Sequence, residues 1–226
     1  MKMKYITNEN NIVTALTLLS TFLMGFIDVY TFLNYDGLFA SAQTGNMVIL
    51  GAKLLEGDFW EVLIHAFSFI GFMIGAFAAQ GIVERYKNRS WKRYRKYLFF
   101  QLVFLLILAL IQTAVSASLI AFLLGLLAGY ELTVFRKVKN TGMNNGIMTG
   151  NTKNLMNNIY LAVFHKNKEA QQTFFDLLLG ISMFLLGIIA GAAVLLISPL
   201  LILWLAFSLT AVFYFLLLFR QSDISH

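Results

Sequence analysis

The sequence predicts an all-α polytopic membrane protein, with six transmembrane helices plus two short re-entrant or broken helices, arranged as two inverted-topology repeats. Long apolar runs, a one-sided distribution of basic residues and a repeated Thr-Gly-Asn tripeptide carry that prediction. The 226 residues are 59% hydrophobic and only 12% charged, with one proline and no cysteine. A soluble domain of this length carries about twice that charged fraction. Without cysteine, disulfides, thiolate metal sites and cysteine nucleophiles are excluded.

About 20 apolar residues cross a bilayer core, and crossings are read at 12–33, 60–83, 97–115, 117–135, 173–197 and 199–219. Ser198 and Pro199 suit the cap and first turn of the last helix. Ala40-Ser41-Ala42 after the first run resembles a signal-peptide cleavage site. The run is longer than a signal core and five more crossings follow, so cleavage is rejected.

Two stretches, Thr44–Leu55 and Thr149–Phe164, are apolar enough to enter a membrane but ill suited to span it. The first is 12 residues long, roughly 18 Å of helix, well short of a crossing. The second carries Asn151, Lys153, Asn154, Asn157 and Asn158, which lipid would not tolerate. Irregular backbone survives at depth only inside protein or beside a wet cavity. Both are therefore read as re-entrant or broken helices, the alternative being helices lying flat on the surface.

With six crossings and a cytoplasmic start, 16 of the 17 basic residues fall inside and only Lys53 outside, near Asp36, Glu56, Asp58 and Glu61. This is the expected positive-inside bias. Counting both short stretches as spans, with the start outside, strands Lys166, Lys168 and Arg220 outside, a weaker arrangement. The run Arg85, Lys87, Arg89, Lys92, Arg93, Arg95 and Lys96, with Tyr86, Trp91 and Tyr94 interleaved, imitates a nucleic-acid patch. Between two crossings it reads as a loop meeting anionic headgroups, so no nucleic-acid partner is expected.

Thr44-Gly45-Asn46 recurs as Thr149-Gly150-Asn151 in matching context. Gly37 and Gly142 stand seven residues before each threonine, and Leu50 and Leu155 six after. Upstream lies an acid in the preceding helix, Asp28 or Glu131, and downstream Gly71-x-x-x-Gly75-Ala76 or Gly187-x-x-x-Gly191-Ala192. Each half, 1–115 and 116–226, has three crossings, so the second is inverted, a common transporter plan. The spaced glycines, with Gly125-x-x-x-Gly129, are read as helix-packing positions.

These residues resemble the YoaK family of bacterial membrane proteins, most specifically Gly25-Phe26-Ile27-Asp28 followed by Gln43-Thr44-Gly45-Asn46 and echoed by Met148-Thr149-Gly150-Asn151. The likeness covers nearly the whole chain. It implies a six-helix transporter in the bacterial cytoplasmic (inner) membrane and supplies no substrate; the charge bias puts both termini on the cytoplasmic side. Gly129-Tyr130-Glu131-Leu132 departs from the Gln-Asn that the resemblance leads one to expect after that glycine, which puts a required acid there in doubt.

A helix starting at mid-membrane presents unpaired N–H groups and a positive dipole end. Thr44 or Thr149 is expected to cap that start, Gly45 and Gly150 to let a ligand approach, and Asn46 and Asn151 to donate and accept. These six residues are the candidate substrate-binding set, favouring a small polar or anionic solute. Merely ending a coil and satisfying backbone is the plainer reading. Asp28 is a candidate proton-coupling acid, with Gly25 leaving room beside it; a structural pairing with His65 or a helix end is the alternative. Glu131 is its counterpart, although an ion pair with Arg136 or Lys137 is preferred for Glu131 taken alone. Gln80, Gln101, Gln112 and Asp176 are left unassigned.

The expected function is secondary transport, possible proton coupling included, with the solute and the bilayer as partners and homo-oligomerisation left open. A passive channel, or a sensor or scaffold acting through the basic loop, are the alternatives. No paired nucleophile and base, metal-ligand spacing or cofactor fingerprint is found, so neither enzyme activity nor a cofactor or metal is expected.

Overall fold

The structure, a computed structural model, describes residues 2–57, 59–87 and 92–222. Asp58, Arg89, Trp91 and His226 lie outside these, as do the side chains of Lys2, Lys4, Lys92 and Arg220.

The chain forms α1 (Lys2–Asn34), α2 (Gln43–Glu56), α3 (Phe59–Tyr86), α4 (Lys92–Ile111), α5 (Ala117–Val134), α6 (Met148–Phe164), α7 (Lys168–Leu195) and α8 (Leu201–Ser222). Six helices, all but α2 and α6, are long and apolar enough to cross a membrane. Their lipid-facing surfaces keep large apolar side chains exposed, Phe77 and Ile189 among them, as a bilayer solvent allows. This is an all-α polytopic membrane protein.

Boundaries differ from the sequence reading where caps decide them. The third crossing stops at Ile111, four residues short, because Ala114 N–H turns back to the Ile111 carbonyl and Ser116 caps α5 through Leu119 N–H. The last helix begins at Leu201 rather than Pro199. Ser198 accepts from Leu200 N–H, so Ser198-Pro199 forms the turn that leads in. A small hairpin, β1 (Lys137–Val138) with β2 (Thr141–Gly142), was not anticipated. Lys139 makes its turn with φ +50°, and Lys139 N–H donates to Thr14 Oγ1 at 2.7 Å, fastening the hairpin to α1.

Close packing follows the glycines. A Cβ on Gly71 or Gly75 would strike the Phe122 or Leu126 carbonyl, and one on Gly125 or Gly129 the Ser68 or Phe72 carbonyl. These contacts advance together along α3 and α5, so the two helices run parallel with their backbones touching. Gly25, Gly187 and Gly191 join α1 to α7 in the same way through Phe184, Phe22 and Phe26. Gly25 is thus a packing residue, the space over it filled by the backbone of α7 at Phe184 and Ile188. Without a hydrophobic drive between helices in lipid, such approach supplies the dispersion contact that holds them.

Two faces result. The starts of α1, α4 and α7, the end of α5 and the hairpin share a basic face; Asn10 meets Asn140, and Lys139 pairs with Asp176 at 2.7 Å. The ends of α1 and α4 and the starts of α3, α5 and α8 share the other, where Gln112 donates to the Leu200 carbonyl. Lys53 on that second face pairs with Glu61 at 2.8 Å and Glu56 at 3.0 Å, and these carboxylates, Glu61 foremost, raise its pKa. Exposed pairs of this kind add little stability.

Candidate functional site

After α1 the chain does not stay at the surface. Residues 35–42 turn back beside α1, helped by Asp36 (φ +49°) and Gly37 (φ +74°), and reach the level of Asp28. From there α2 returns to the same face before α3 starts. The second half does likewise: after the hairpin, 143–147 descends to the level of Ser20 and Glu131, and α6 climbs back. Both short helices are therefore re-entrant, and neither lies flat on the surface.

The two Thr-Gly-Asn segments build one device twice. Asn46 Oδ1 accepts from Phe39 N–H at 2.9 Å while Nδ2 donates to the Phe39 carbonyl at 2.6 Å. Asn151 does the same to Asn144, at 3.2 and 2.6 Å. In each case the amide grips the peptide seven residues upstream as a neighbouring strand would, pinning the descending loop to the first turn of its own helix. An aspartate lacks the donor this grip needs. Both asparagines are buried and both amides are taken up within the protein, Asn46 Nδ2 donating also to Gln43 Oε1 at 3.0 Å.

The threonines do not cap. Helix α2 starts from Ala42 and α6 from Ile147, neither with a side-chain cap, so Thr44 and Thr149 sit inside the first turn and are exposed. The caps fail because the asparagine grip, not the threonine, sets where each loop ends. Gly45 faces the Phe39 ring, and Gly150 has open space around it.

At the tips the loops touch. Ser41 Oγ lies 2.8 Å from the Gly146 carbonyl oxygen and 2.5 Å from Asp28 Oδ2, while Ser41 N–H donates to Asp28 Oδ1 at 2.9 Å. Asp28 is thus held by the first loop rather than by His65, whose Nε2 is 3.3 Å from the Asp36 carbonyl. Asn145, the residue before Gly146, donates to Ser20 Oγ at 2.5 Å, and Ser20 in turn hydrogen-bonds Glu131. Gln101 donates to the same carboxyl at 3.0 Å.

Glu131 is fully buried, and no ion pair to Arg136 or Lys137 forms among the described residues; that expectation is corrected. It lies on the face of α5 turned toward α1 and α4, and the two cations lie past the helix end, exposed on the hairpin side. The result is a polar seam through the molecule's centre: Asp28 and Ser41, then Gly146 and Asn145, then Ser20, Glu131 and Gln101. Beside it opens a largely apolar, open crevice of about 340 Å³ lined by Asp28, Phe32, Phe39, Met148, Thr149 and Phe184.

Residues 16–216 match the family described as protein of unknown function (DUF1275). The chain belongs to DUF1275. No curated protein and no solved structure matches it.

Of the DUF1275 chain's sequence candidates, Asp28, Glu131, Asn46 and Asn151 converge on this seam or its supports, while Thr149 borders the crevice and Thr44 and Gly150 face outward. Ser20, Asn145 and Gly146 were missed, Gln101 was noted without an assignment, and Ser41 appeared only within the cleavage-like tripeptide. A buried serine in an apolar helix carries little signal alone. The Asn-Asn-Gly preceding the second repeat was the legible clue. Asp176 instead serves the hairpin, accepting from Lys139 and Thr141.

Proposed function

We propose that this DUF1275 chain is a secondary transporter of a small polar or anionic solute, coupled to protons through Asp28 and Glu131. The observation that carries the reading is the meeting of two re-entrant loops at Ser41 and Gly146, with a buried acid beside each. The halves 1–115 and 116–226 are read as inverted repeats. Each element of the second runs opposite to its counterpart, α1 against α5 and α3 against α7. The family kinship favours the narrower YoaK resemblance, and the basic face is taken as cytoplasmic with both termini there.

The coupling chemistry follows from proton counting at Ser41. A hydroxyl has one proton to donate. With Asp28 ionised, Ser41 gives that proton to Oδ2, and the Gly146 carbonyl loses its donor from the facing loop. With Asp28 protonated, the acid donates to Ser41 Oγ, which is then free to donate to Gly146. Protonation thus joins the two loop tips and ionisation parts them. An anionic solute between two acids requires both to be neutral, so its movement would be proton symport, with the half-helix N–H ends supplying the attraction. Direct contact of the loop tips favours a carrier that must change shape over a permanently open channel.

Proteoliposomes containing an internal pH dye, challenged with a panel of small polar and anionic metabolites, test this. At least one solute should drive proton entry in the wild type and none in Asp28→Asn. If no member of the panel moves, and Asp28→Asn behaves as wild type, the coupled-transport reading is wrong.

A further inference from the structure

A second pocket, of about 250 Å³, lies at the basic face, away from the loop tips. Its walls come from five places that the fold alone brings together: the starts of α1 and α4, the ends of α3 and α5, and the hairpin. Arg93, Arg136, Lys137 and Lys139 line it, with no carboxylate among its lining residues. Lys139 is partly neutralised by Asp176. Arg136 and Lys137 are exposed and make no ion pair among the described residues.

Charge alone would describe any basic membrane boundary. The second observation is Tyr97, which lines the same pocket and is 2% exposed. Its hydroxyl is buried and has no hydrogen-bond partner among the described residues. A buried hydroxyl left unpaired is costly, and an oxygen acceptor in the pocket would relieve it. The Tyr97 ring packs edge-on against Tyr94 with centroids 5.6 Å apart, and its backbone carbonyl accepts from the Tyr130 hydroxyl at 2.7 Å. Arg93 is held over the Tyr94 ring at 5.0 Å and donates to the Lys87 carbonyl. The pocket therefore gathers cations next to a tyrosine whose buried hydroxyl is still without a partner.

We infer that this pocket binds the phosphate group of an anionic ligand, either a phospholipid headgroup or a free phosphate species. A phosphate has oxygens enough to accept from Tyr97 while arginine and lysine balance its charge. The pocket is smaller than the ~300–1,000 Å³ of drug-sized sites, which suits a headgroup-sized anion. The inference is independent of the transport reading.

The test uses the purified full chain in neutral detergent, titrated with dioctanoyl phosphatidylglycerol, inorganic phosphate, and dioctanoylglycerol as the phosphate-free control. Thermal shift and native mass spectrometry read binding. Saturable binding of the phospholipid alone identifies a headgroup site; binding of both, with phosphate displacing the lipid, identifies a free-phosphate site. The double substitution Arg136→Gln with Lys137→Gln should weaken the dissociation constant at least about tenfold, the factor expected from losing a charge-assisted hydrogen bond. Tyr97→Phe should weaken it several-fold while leaving the elution volume unaltered and the unliganded melting temperature no lower than wild type, and decides the matter if the double variant misfolds. Binding of neither phosphate probe, binding equal to that of dioctanoylglycerol, or affinity indifferent to Tyr97→Phe would overturn the inference.

Discussion

The two re-entrant loops use the same clamp and different acids. In the first, Asn46 grips Phe39, and the acid Asp28 is held by the loop's own tip, through Ser41 N–H and hydroxyl. In the second, Asn151 grips Asn144, but the acid Glu131 is held by helix side chains, Ser20 from α1 and Gln101 from α4. The second tip reaches Glu131 only through its backbone carbonyl, to which Asn145 donates at 3.3 Å. The clamp therefore belongs to architecture, because both halves need it identically. The acids differ in what they can control. Protonating Asp28 would change the hydrogen bonds of the loop tip itself, whereas protonating Glu131 would change those between helices.

The framework that both loops share should break first. Gly75→Leu on α3, and Gly187→Leu on α7, each force a side chain into a facing backbone carbonyl. Loss at or beyond the top of the about 1–3 kcal/mol usual for overpacking is expected, read as aggregation on size-exclusion chromatography. A well-behaved Gly75→Leu protein would show that the glycine contacts do not hold the helices.

The acids should then separate by function. Asp28→Asn can still accept from Ser41 N–H and donate to Ser41 Oγ, imitating the protonated acid. It should fold normally and lose proton-driven flux. Glu131→Gln should slow flux without abolishing its dependence on the pH gradient. Equal effects of the two in the same liposome assay would erase the functional half of the comparison.

The clamps should cost alike. Asn46→Ala and Asn151→Ala each leave a partly buried peptide without its partner, and up to about 1–3 kcal/mol is expected from either. Chemical denaturation in mild detergent would measure both, and a large disparity would mean that the two grips do different jobs.

The smallest contrast lies at the glycines between threonine and asparagine. A Cβ on Gly45 meets the Phe39 ring at 3.1 Å, whereas one on Gly150 meets nothing within 4 Å. Gly150→Ala should raise stability by up to about 1 kcal/mol through helix propensity. Gly45→Ala should gain less, since Phe39 must shift, and a thermal melt of the pair would rank them.

The repeated tripeptide was readable in the chain, and its role was not. Thr-Gly-Asn was expected to cap a helix and face a solute. Caps were misassigned because N-cap preference is local, whereas the helix start was set by an asparagine reaching back to a loop peptide. Glu131 was expected to pair with nearby cations because sequence distance suggests neighbours. The helix turned it toward Gln101, 30 positions earlier in the chain.

What the sequence by itself determined is the set of elements that respond to short-range physics. Hydropathy and length define the six crossings, paired glycines mark the tight helix contacts, and apolar segments too short or too polar to span mark the re-entrant helices. Only the tertiary structure decided that Ser41 meets Gly146, that Ser20 serves Glu131 and that Tyr97 faces a basic pocket. Those pairings join residues as many as 111 positions apart. They depend on parallel packing of α1 with α7 and of α3 with α5, which no local pattern of residues encodes.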